Sequence, residues 1–185
     1  HGHVDLESTV GSGTTFSVYL PTCQEAPAGK PSEAPPGGTE TLLVVDDDQL
    51  QREVAGELLA TLGYRVEAVA SGEEAISLAE DLQPDVVLMD IELGAGINGF
   101  EAGHRIKARR PKTGIVILSM HRDKQDLASL PVDKASGWSY LLKQSVADTA
   151  TLVRAIEGAA AGLVVMDPAI VGALRPRPTS SLGRL

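Results

Sequence analysis

The sequence predicts an α/β protein built on a doubly wound parallel sheet, and three observations support this prediction. Its 185 residues suit one domain of ordinary size with flanking segments. Hydrophobic residues make up 43% of the chain and aromatic residues only 3%, which suits an aliphatic sheet covered by helices. From residue 41 onward, short β-branched runs alternate five times with segments of helical periodicity. Such alternation predicts parallel strands joined by right-handed crossovers, with helices on both faces.

Each strand is followed by a helix in the predicted order of elements. The predicted strands are residues 41–45, 65–69, 85–89, 114–119 and 139–143. The predicted helices are residues 49–62, 71–82, 99–109, 122–130 and 146–161, of which the fourth has the weakest pattern. We expect the flavodoxin-like strand order 2-1-3-4-5, in which the first strand lies between the second and the third.

Other segments flank this (βα)5 unit, which we assign to residues 41–165. Residues 1–23 contain a glycine turn between two strands of alternating pattern, which predicts a β-hairpin. Residues 24–40 are rich in Pro and Gly and have almost nothing to bury, so they are predicted to be a linker. Residues 166–185 are predicted to be a tail or a second linker.

The composition also restricts the partners and the compartment. The formal net charge of -9 argues against non-specific binding of nucleic acid or of an anionic membrane. The single cysteine, Cys23, excludes a disulfide framework within one chain and suits a reducing cytoplasm. No apolar run approaches the roughly 18 residues of a membrane span. We therefore expect a cytoplasmic location and no nucleic-acid or membrane partner for this chain.

Polar residues stand at the carboxyl ends of four predicted strands. Asp46 and Asp47 follow the first strand, Asp90 the third and Ser119 ends the fourth, while Lys143 ends the fifth. In the predicted order these strands are neighbours, and ligands of open parallel sheets bind at this edge. The five side chains are therefore predicted to form one site.

The residue types at this site indicate phosphoryl transfer to a carboxylate. At an effective dielectric constant of about 20, each close pair of carboxylates costs roughly 3 to 4 kcal/mol, so the acids require a cation. Carboxylate oxygens with room for several waters suit Mg²⁺. An ammonium and a hydroxyl, from Lys143 and Ser119, can receive negatively charged oxygens. Asp90, which stands alone after the central strand, is then the predicted nucleophile.

The runs VVDDD, VVLMD, VILSMH and SYLLK, in this order and spacing, resemble the receiver domains of two-component response regulators. The resemblance covers roughly residues 41–165. It implies that Asp90 accepts a phosphoryl group from the phosphohistidine of a histidine kinase or a histidine phosphotransfer domain. It also implies that Lys143 pairs with the phosphoryl group.

Further implications of this resemblance concern the metal and the switch. Mg²⁺ would be held by Asp46, Asp47 and Asp90 and by the backbone carbonyl of Glu92. Ser119 would bind the phosphoryl oxygen and shift toward it, and Tyr140 would be the aromatic side chain that changes rotamer. A homodimer would use the face formed by the fourth helix, the fifth strand and the fifth helix.

The sequence departs from the common receiver pattern at two places. The segment after Asp90, IELGAGINGFE, is about one residue longer than usual and lacks a proline, so an altered loop is expected. Gln144 stands where many receivers have a proline with a cis peptide bond. Because a non-proline cis bond costs about 3 to 4 kcal/mol, we predict a trans bond there. Trp138, just before the fifth strand, is either a structural residue of the fold or an exposed ring that marks a contact surface.

The N-terminal stretch GHVDLESTVGSGTTFSVYLP, residues 2–21, resembles the last part of the ATP-binding domain of histidine kinases. This resemblance implies a hybrid sensor kinase with a fused receiver, although an ordinary Gly-Ser hairpin remains an alternative. Twenty residues cannot bind ATP, so the only enzymatic activity expected is self-phosphorylation and dephosphorylation at Asp90. The 17-residue linker, with a mean span of about 20 to 25 Å, would let the receiver reach its own kinase's phosphohistidine.

Other interpretations stay open at this point. The segment LVRAIEGAAAGLVVMDPAIV is most similar to receivers that precede a helix-turn-helix domain, so a DNA-binding output domain could lie beyond residue 185. The receiver could also work as a phosphate sink without an output. A Mg²⁺-dependent phosphatase of the haloacid-dehalogenase type also uses a strand-end Asp, but its acids follow a different spacing. Asp46 to Asp48 could simply cap a helix, a role that we expect for Asp48.

Overall fold

The computed structural model describes residues 3–9, 13–19, 37–120 and 136–170. The chain divides into two compact units, His1–Glu33 and Ala34–Leu185, which are described separately. Several predicted segments lie outside the described residues: the fourth helix at 122–130, most of the linker at 24–40, and the tail from residue 171 onward.

The first unit contains a β-hairpin. Strands β1 (His3–Thr9) and β2 (Gly13–Tyr19) pair antiparallel, with Val4 opposite Val18 and Thr9 opposite Gly13. Gly13 has a φ of +100°, which suits a residue without a side chain at the end of the turn. The hairpin has the two strands that the alternating pattern predicts.

The second unit is a parallel sheet with helices on both faces. Its strands are β3 (Thr41–Val45), β4 (Arg65–Val69), β5 (Val86–Asp90), β6 (Gly114–Ser119), β7 (Trp138–Leu142) and β8 (Val165–Met166). The order across the sheet is β4-β3-β5-β6-β7-β8, and every neighbouring pair is parallel. The predicted α/β class and the order 2-1-3-4-5 are confirmed for the five predicted strands. The sixth strand, β8, was not predicted.

The described helices follow the strands as predicted. They are α1 (Gln49–Thr61), α2 (Gly72–Leu82), α3 (Gly99–Arg109) and α4 (Thr149–Ala160), with a 3₁₀ helix over Lys143–Ala147 before α4. Asp48, Ser71 and Asn98 cap the first three helices, because each side chain accepts a hydrogen bond from a backbone N–H in the first turn. The described residues contain no cis peptide bond, so the predicted trans bond before Gln144 is confirmed.

Two apolar layers form the core, one on each face of the sheet. The layer under α2 and α3 contains Phe100, Trp138 and Tyr140, whereas the layer under α1 and α4 is aliphatic apart from Tyr64. Trp138 is only 2% exposed and stacks on Phe100, with ring centroids 6.5 Å apart. The suggestion that Trp138 marks an exposed contact surface is therefore wrong, because its ring fills the core beneath α3.

The packed unit continues beyond the boundary that the sequence suggests at residue 165. Residues 168–170 are helical, and Ile170 is fully buried in the apolar cluster that contains Trp138 and Tyr140. In the described stretches of the chain, no helix combines the length and the apolar character needed to cross a bilayer.

Candidate functional site

Three carboxylates meet at the carboxyl ends of two adjacent central strands. Asp46 and Asp47 follow β3, and Asp90 is the last residue of β5. One carboxylate oxygen from each of these residues lies within 4.8 Å of the others. Asp46 and Asp90 are buried, whereas Asp47 is exposed at the mouth of the pocket. The convergence of the acids predicted from the sequence is therefore observed.

Lys143 closes this acidic pocket from the end of β7. Its Nζ donates to Asp46 Oδ2 and to Asp90 Oδ2, both at 2.8 Å. A third hydrogen bond, of 2.7 Å, goes to Oε1 of Gln51 on α1. The ammonium thus has three acceptors, and its position over Asp90 is fixed from three directions.

Burial and charge shift the protonation equilibria of the pocket. Burial raises the pKa of the Asp90 carboxyl above its usual value; the charge of Asp46 adds to the rise, and Lys143 opposes it. Burial alone would lower the pKa of the Lys143 ammonium, but its bonds to Asp46 and Asp90 outweigh burial and hold that pKa above its usual value. Lys143 therefore stays charged, and the pocket has more negative than positive charge.

Ser119 and Tyr140 lie on the two strands beyond Asp90. Asp90 is opposite Leu118 in the β5–β6 register, so Ser119 is one residue further toward the strand ends, where it is buried. Tyr140 is 1% exposed, and its ring centroid lies 6.4 Å from that of Phe100. Tyr140 is therefore a core residue in this conformation and points into the layer under α3. Glu92 is exposed, two residues after Asp90.

Asp48 and Arg52 organise the first loop of the pocket. The Asp48 N–H donates to Asp46 Oδ1 at 3.0 Å, and the Asp48 side chain accepts from the Gln51 N–H at 3.1 Å. Arg52 donates to the backbone carbonyls of Asp46 and Asp47, at 2.7 and 3.0 Å. Sequence reasoning missed Arg52 and Gln51, because no strand-end pattern marks residues in the first turns of a helix.

Glycines allow the loop after β5 to approach the pocket closely. A Cβ on Gly94, whose φ is +64°, would lie 3.0 Å from Asp47 Oδ2. A Cβ on Gly99, at the start of α3, would lie 1.9 Å from the carbonyl oxygen of Asp90. The Gly99 N–H also donates to the Ile91 carbonyl at 3.0 Å. The unusual IELGAGINGFE segment thus packs against the acidic loop and the end of β5.

The donor set of the pocket fits a hard divalent cation. Three carboxylates at one point provide oxygen ligands, the type that Mg²⁺ prefers. Ligands of one Mg²⁺ lie at most about 4.2 Å apart, so three oxygens within 4.8 Å need only a small shift to share an ion. Asp47 and Gly94 are both exposed, so solvent reaches this side of the acid cluster and can supply water ligands.

Fold and site together define a class: a doubly wound α/β domain with an acidic pocket and a buried lysine at its strand ends. This chain belongs to the response regulator receiver domain family, whose family model matches residues 42–157. It is thus a receiver domain of two-component signal transduction, the family to which its sequence shows a resemblance. Receiver domains interact with histidine kinases or with phosphotransfer partners.

Known relatives include sensor kinases and transcriptional regulators. The sensor histidine kinase AtsR of Burkholderia thailandensis is 37% identical over 112 residues, which cover 57% of this chain and 18% of that kinase. The transcriptional regulatory protein DegU of Brevibacillus brevis is 36% identical over 132 residues, which cover 70% of this chain and 53% of the regulator. This chain therefore spans less than two thirds of either relative, and both contexts expected from the sequence are represented.

A solved structure supports the cation-binding character of such pockets. The receiver domain of the sensor histidine kinase PA1611 from Pseudomonas aeruginosa is 27% identical to this chain, and its crystal structure has a magnesium ion in the active site cleft. The match has a TM-score of 0.54 and covers 65% of this chain and 99% of that domain.

Proposed function

We propose that this receiver domain accepts a phosphoryl group on Asp90 from a phosphohistidine. The observation that carries the proposal is the 2.8 Å contact between the Lys143 ammonium and Asp90 Oδ2 in a pocket of three carboxylates. Asp90 is the last residue of β5, at the strand ends where ligands of open parallel sheets bind. A lysine held by three acceptors is already oriented to receive negative oxygens.

The transfer forms one bond and breaks one. An Asp90 carboxylate oxygen attacks phosphorus and forms an acyl-phosphate P–O bond, while the P–N bond to the donor imidazole breaks. The imidazole leaves with the electron pair of that bond. Lys143 would exchange part of its contact with Asp90 for a phosphoryl oxygen, and the Ser119 hydroxyl would donate to another.

Asp46, Asp47 and Asp90 would hold Mg²⁺, together with the backbone carbonyl of Glu92. When bound, the ion would neutralise the acids and the oxygens of the phosphoryl group. The role of Arg52 is to fix the carbonyls of Asp46 and Asp47, which keeps the two carboxylates at the pocket. Asp48 caps α1 in this scheme and is not a ligand.

The conformational switch would link the pocket to the far side of β7. Movement of Ser119 toward the phosphoryl group would open space beside Tyr140, whose ring now packs near Phe100. A homodimer through the face that includes β7 and α4 is part of the same proposal. Strand β8 pairs with β7 and covers the outer edge of that strand, so a partner on this face would meet β8 there.

The protein context proposed is a hybrid histidine kinase in the cytoplasm. The support is the likeness of residues 2–21 to the end of a kinase ATP-binding domain and the 37% identity to the sensor kinase AtsR. The alternative is a response regulator with a DNA-binding output domain, and the likeness to DegU favours it. Sequencing of the full gene on both sides of this chain separates the two contexts.

Helix α1 provides a docking surface for a helix of the phosphodonor domain. Leu50 and Val54 are 68% and 58% exposed, and they line a cleft of about 330 Å³ between α1 and the α4 side that reaches Lys143. An amphipathic helix that filled this cleft with an apolar side chain would bring its histidine toward Asp90. The position of the cleft beside the acceptor therefore favours this occupant.

Labelling with a small phosphodonor tests the proposed acceptor. The chain is incubated with acetyl phosphate and Mg²⁺, and intact mass reports the gain of one phosphoryl group. We expect stoichiometric labelling that is lost in Asp90→Asn and on addition of EDTA. Catalytic turnover of phosphate esters, or labelling of Asp90→Asn at the wild-type level, would instead contradict the proposal.

A second experiment tests the docking surface separately from the chemistry. Leu50→Asp should slow transfer from a phosphorylated histidine phosphotransfer domain by about tenfold, because a charge replaces an apolar contact. The rate with acetyl phosphate should not change. Leu163→Asp, at a residue 61% exposed after α4, is the matched control and should affect neither rate. Equal rates for Leu50→Asp and the control would exclude this surface.

A further inference from the structure

Residues 165–170 close the outer edge of the sheet. Strand β8 pairs with β7 through Ser139 opposite Val165 and Tyr140 opposite Met166. Helix α4 passes closely over this strand, because a Cβ on Gly158 would come within 2.5 Å of the Val165 side chain. The edge of β7 is thus covered by the chain's own next segment, just before the buried Ile170.

Asp167 fastens this segment to the end of β7. It is 2% exposed, and its N–H donates to the Tyr140 carbonyl at 2.8 Å. Its Oδ2 accepts from the Leu142 N–H at 3.2 Å, and its Oδ1 accepts from the Ala169 N–H at 2.9 Å. One carboxylate therefore continues the β7–β8 ladder past the last paired residue and also starts the helical turn at 168–170. A buried carboxylate is tolerated because its oxygens have donors.

The bond to Leu142 matters because Lys143 is the next residue. Strand β7 ends at Leu142, and the chain turns into the 3₁₀ helix at Lys143. The Lys143 side chain must reach Asp46 and Asp90 from that point, with both contacts at 2.8 Å. Asp167 holds the backbone at Tyr140 and at Leu142, so it fixes the segment from which the lysine projects. Displacement of reactive groups by about 1 Å can cost up to a hundredfold in rate.

We propose that Asp167 is a positioning residue of the phosphoacceptor pocket, which clamps the end of β7 so that the Lys143 ammonium stands over Asp90. The inference rests on the proposed function of Asp90 and adds to it a residue outside the family's strand-end motif. A purely structural Asp167 would stabilise the sheet edge without changing the chemistry, and this is the alternative to be tested.

Three substitutions in the full chain separate these roles. Asp167→Ser keeps a hydroxyl that can accept from the Ala169 N–H, but it has no second oxygen for the Leu142 N–H. Asp167→Asn keeps one carbonyl oxygen that can accept from Leu142. Thr113→Val is the matched control, because it removes a buried hydrogen bond of 3.0 Å to the Pro84 carbonyl at the opposite ends of the strands.

The main readout is the initial rate of labelling by acetyl phosphate with Mg²⁺, measured where circular dichroism shows all variants folded. Asp167→Ser should lose about tenfold in rate, Asp167→Asn should recover to within about threefold of wild type, and Thr113→Val should keep the wild-type rate. A wild-type rate for Asp167→Ser would overturn the proposal. The proposal would also be overturned if the labelling rate fell in all three variants in proportion to their loss of stability, because a purely structural role predicts that result.

A second readout does not depend on phosphorylation. In nuclear magnetic resonance spectra of the unphosphorylated chain, Asp167→Ser should increase amide exchange at Leu142 and should shift or broaden the Lys143 ammonium signal. An unchanged Lys143 signal in that variant would also overturn the inference. If wild-type chain is not labelled at all, the proposed function fails, while this second readout still decides whether Asp167 positions Lys143.

Discussion

At the scale of single residues, the three consecutive acids after β3 have different surroundings and should give different mutant phenotypes. Asp48 caps α1 through the Gln51 N–H, whereas Asp47 is an exposed member of the acid cluster. Asp48→Ala should lower the free energy of unfolding by about 1 kcal/mol and leave stabilisation by Mg²⁺ intact. Asp47→Ala should have little effect on the free energy of unfolding without metal, and it should weaken the stabilisation by Mg²⁺.

Thermal unfolding with EDTA and with Mg²⁺ measures both effects of these substitutions. Asn98→Ala, which removes the corresponding cap of α3, is the control for loss of a cap alone. A loss of the Mg²⁺ response in Asp48→Ala would show that Asp48 is a ligand and that the division of roles among the acids is wrong.

The buried Tyr64 hydroxyl, which lies outside the pocket, should make the stability of the protein depend on pH at alkaline values. Its hydroxyl is buried without a hydrogen-bond partner among the described residues, and burial, then the charges of Glu40 and Glu157, raise its pKa from 10.0 to about 12. A phenol whose pKa is higher in the folded state contributes stability that is complete below pH 10.0 and is lost as pH rises toward 12.

Tyr64→Phe should therefore remove part of the alkaline loss of stability. Its free energy of unfolding should fall less than that of the wild type between about pH 10 and 12, by about 1 to 2 kcal/mol. At pH 7 the two proteins should differ by less than about 1 kcal/mol, because the lost hydroxyl has no partner. Urea unfolding at several pH values measures this difference, and parallel pH curves would contradict it.

At the scale of elements, the start of α3 depends on a close approach to β5. A Cβ on Gly99 would lie 1.9 Å from the Asp90 carbonyl oxygen, so Gly99→Ala must push the helix or the strand end away. We expect a loss of about 3 kcal/mol in the free energy of unfolding, and slower phosphorylation because Asp90 moves. Urea unfolding and the acetyl phosphate assay measure the two effects.

Gly56 gives the control for this substitution within a helix. Nothing lies within 4 Å of a Cβ at Gly56 in α1, so Gly56→Ala should stabilise the protein by about 0.5 to 1 kcal/mol through helix propensity. If Gly99→Ala were as well tolerated as Gly56→Ala, the contact between α3 and the end of β5 would not be a tight one.

The elements that the sequence predicts well are those with a local pattern. The strand runs and the amphipathic segments identify five strands and most helix boundaries, because period and capping residues lie within a few positions of one another. Strand β8 has two residues and no period of its own. It exists because Asp167 and Ile170 pack and bond at long range, and a single sequence gives no direct signal of such contacts.

At the scale of the whole molecule, the contrast between topology and detailed packing explains which site residues could be predicted from the sequence. Strand order brings Asp46, Asp90 and Lys143 together, so their meeting follows from topology alone and could be predicted. Gln51 and Arg52 could not be predicted, because their role depends on which side of the first turn of α1 faces the pocket. The inward position of Trp138 also depends on packing, because its ring stacks on Phe100 in the layer under α3.

Ile170 and Leu163 test how far along the chain the cooperatively folded unit extends. Ile170 is fully buried in the same cluster as Trp138, the single tryptophan, while Leu163 is 61% exposed on the connection between α4 and β8. Ile170→Ala should lower the free energy of unfolding by about 2 to 4 kcal/mol, because it leaves a cavity at the edge of the core. Leu163→Ala should stay within about 0.5 kcal/mol of wild type.

Urea unfolding followed by Trp138 fluorescence measures both variants, because the indole lies in the cluster that contains Ile170. A single transition that moves to lower urea in Ile170→Ala means that residues 165–170 unfold together with the sheet. Equal midpoints for the two variants would mean that the segment separates from β7 before the core unfolds. In that case the clamp at Asp167 would be less stable than the sheet, and it would open before the core does.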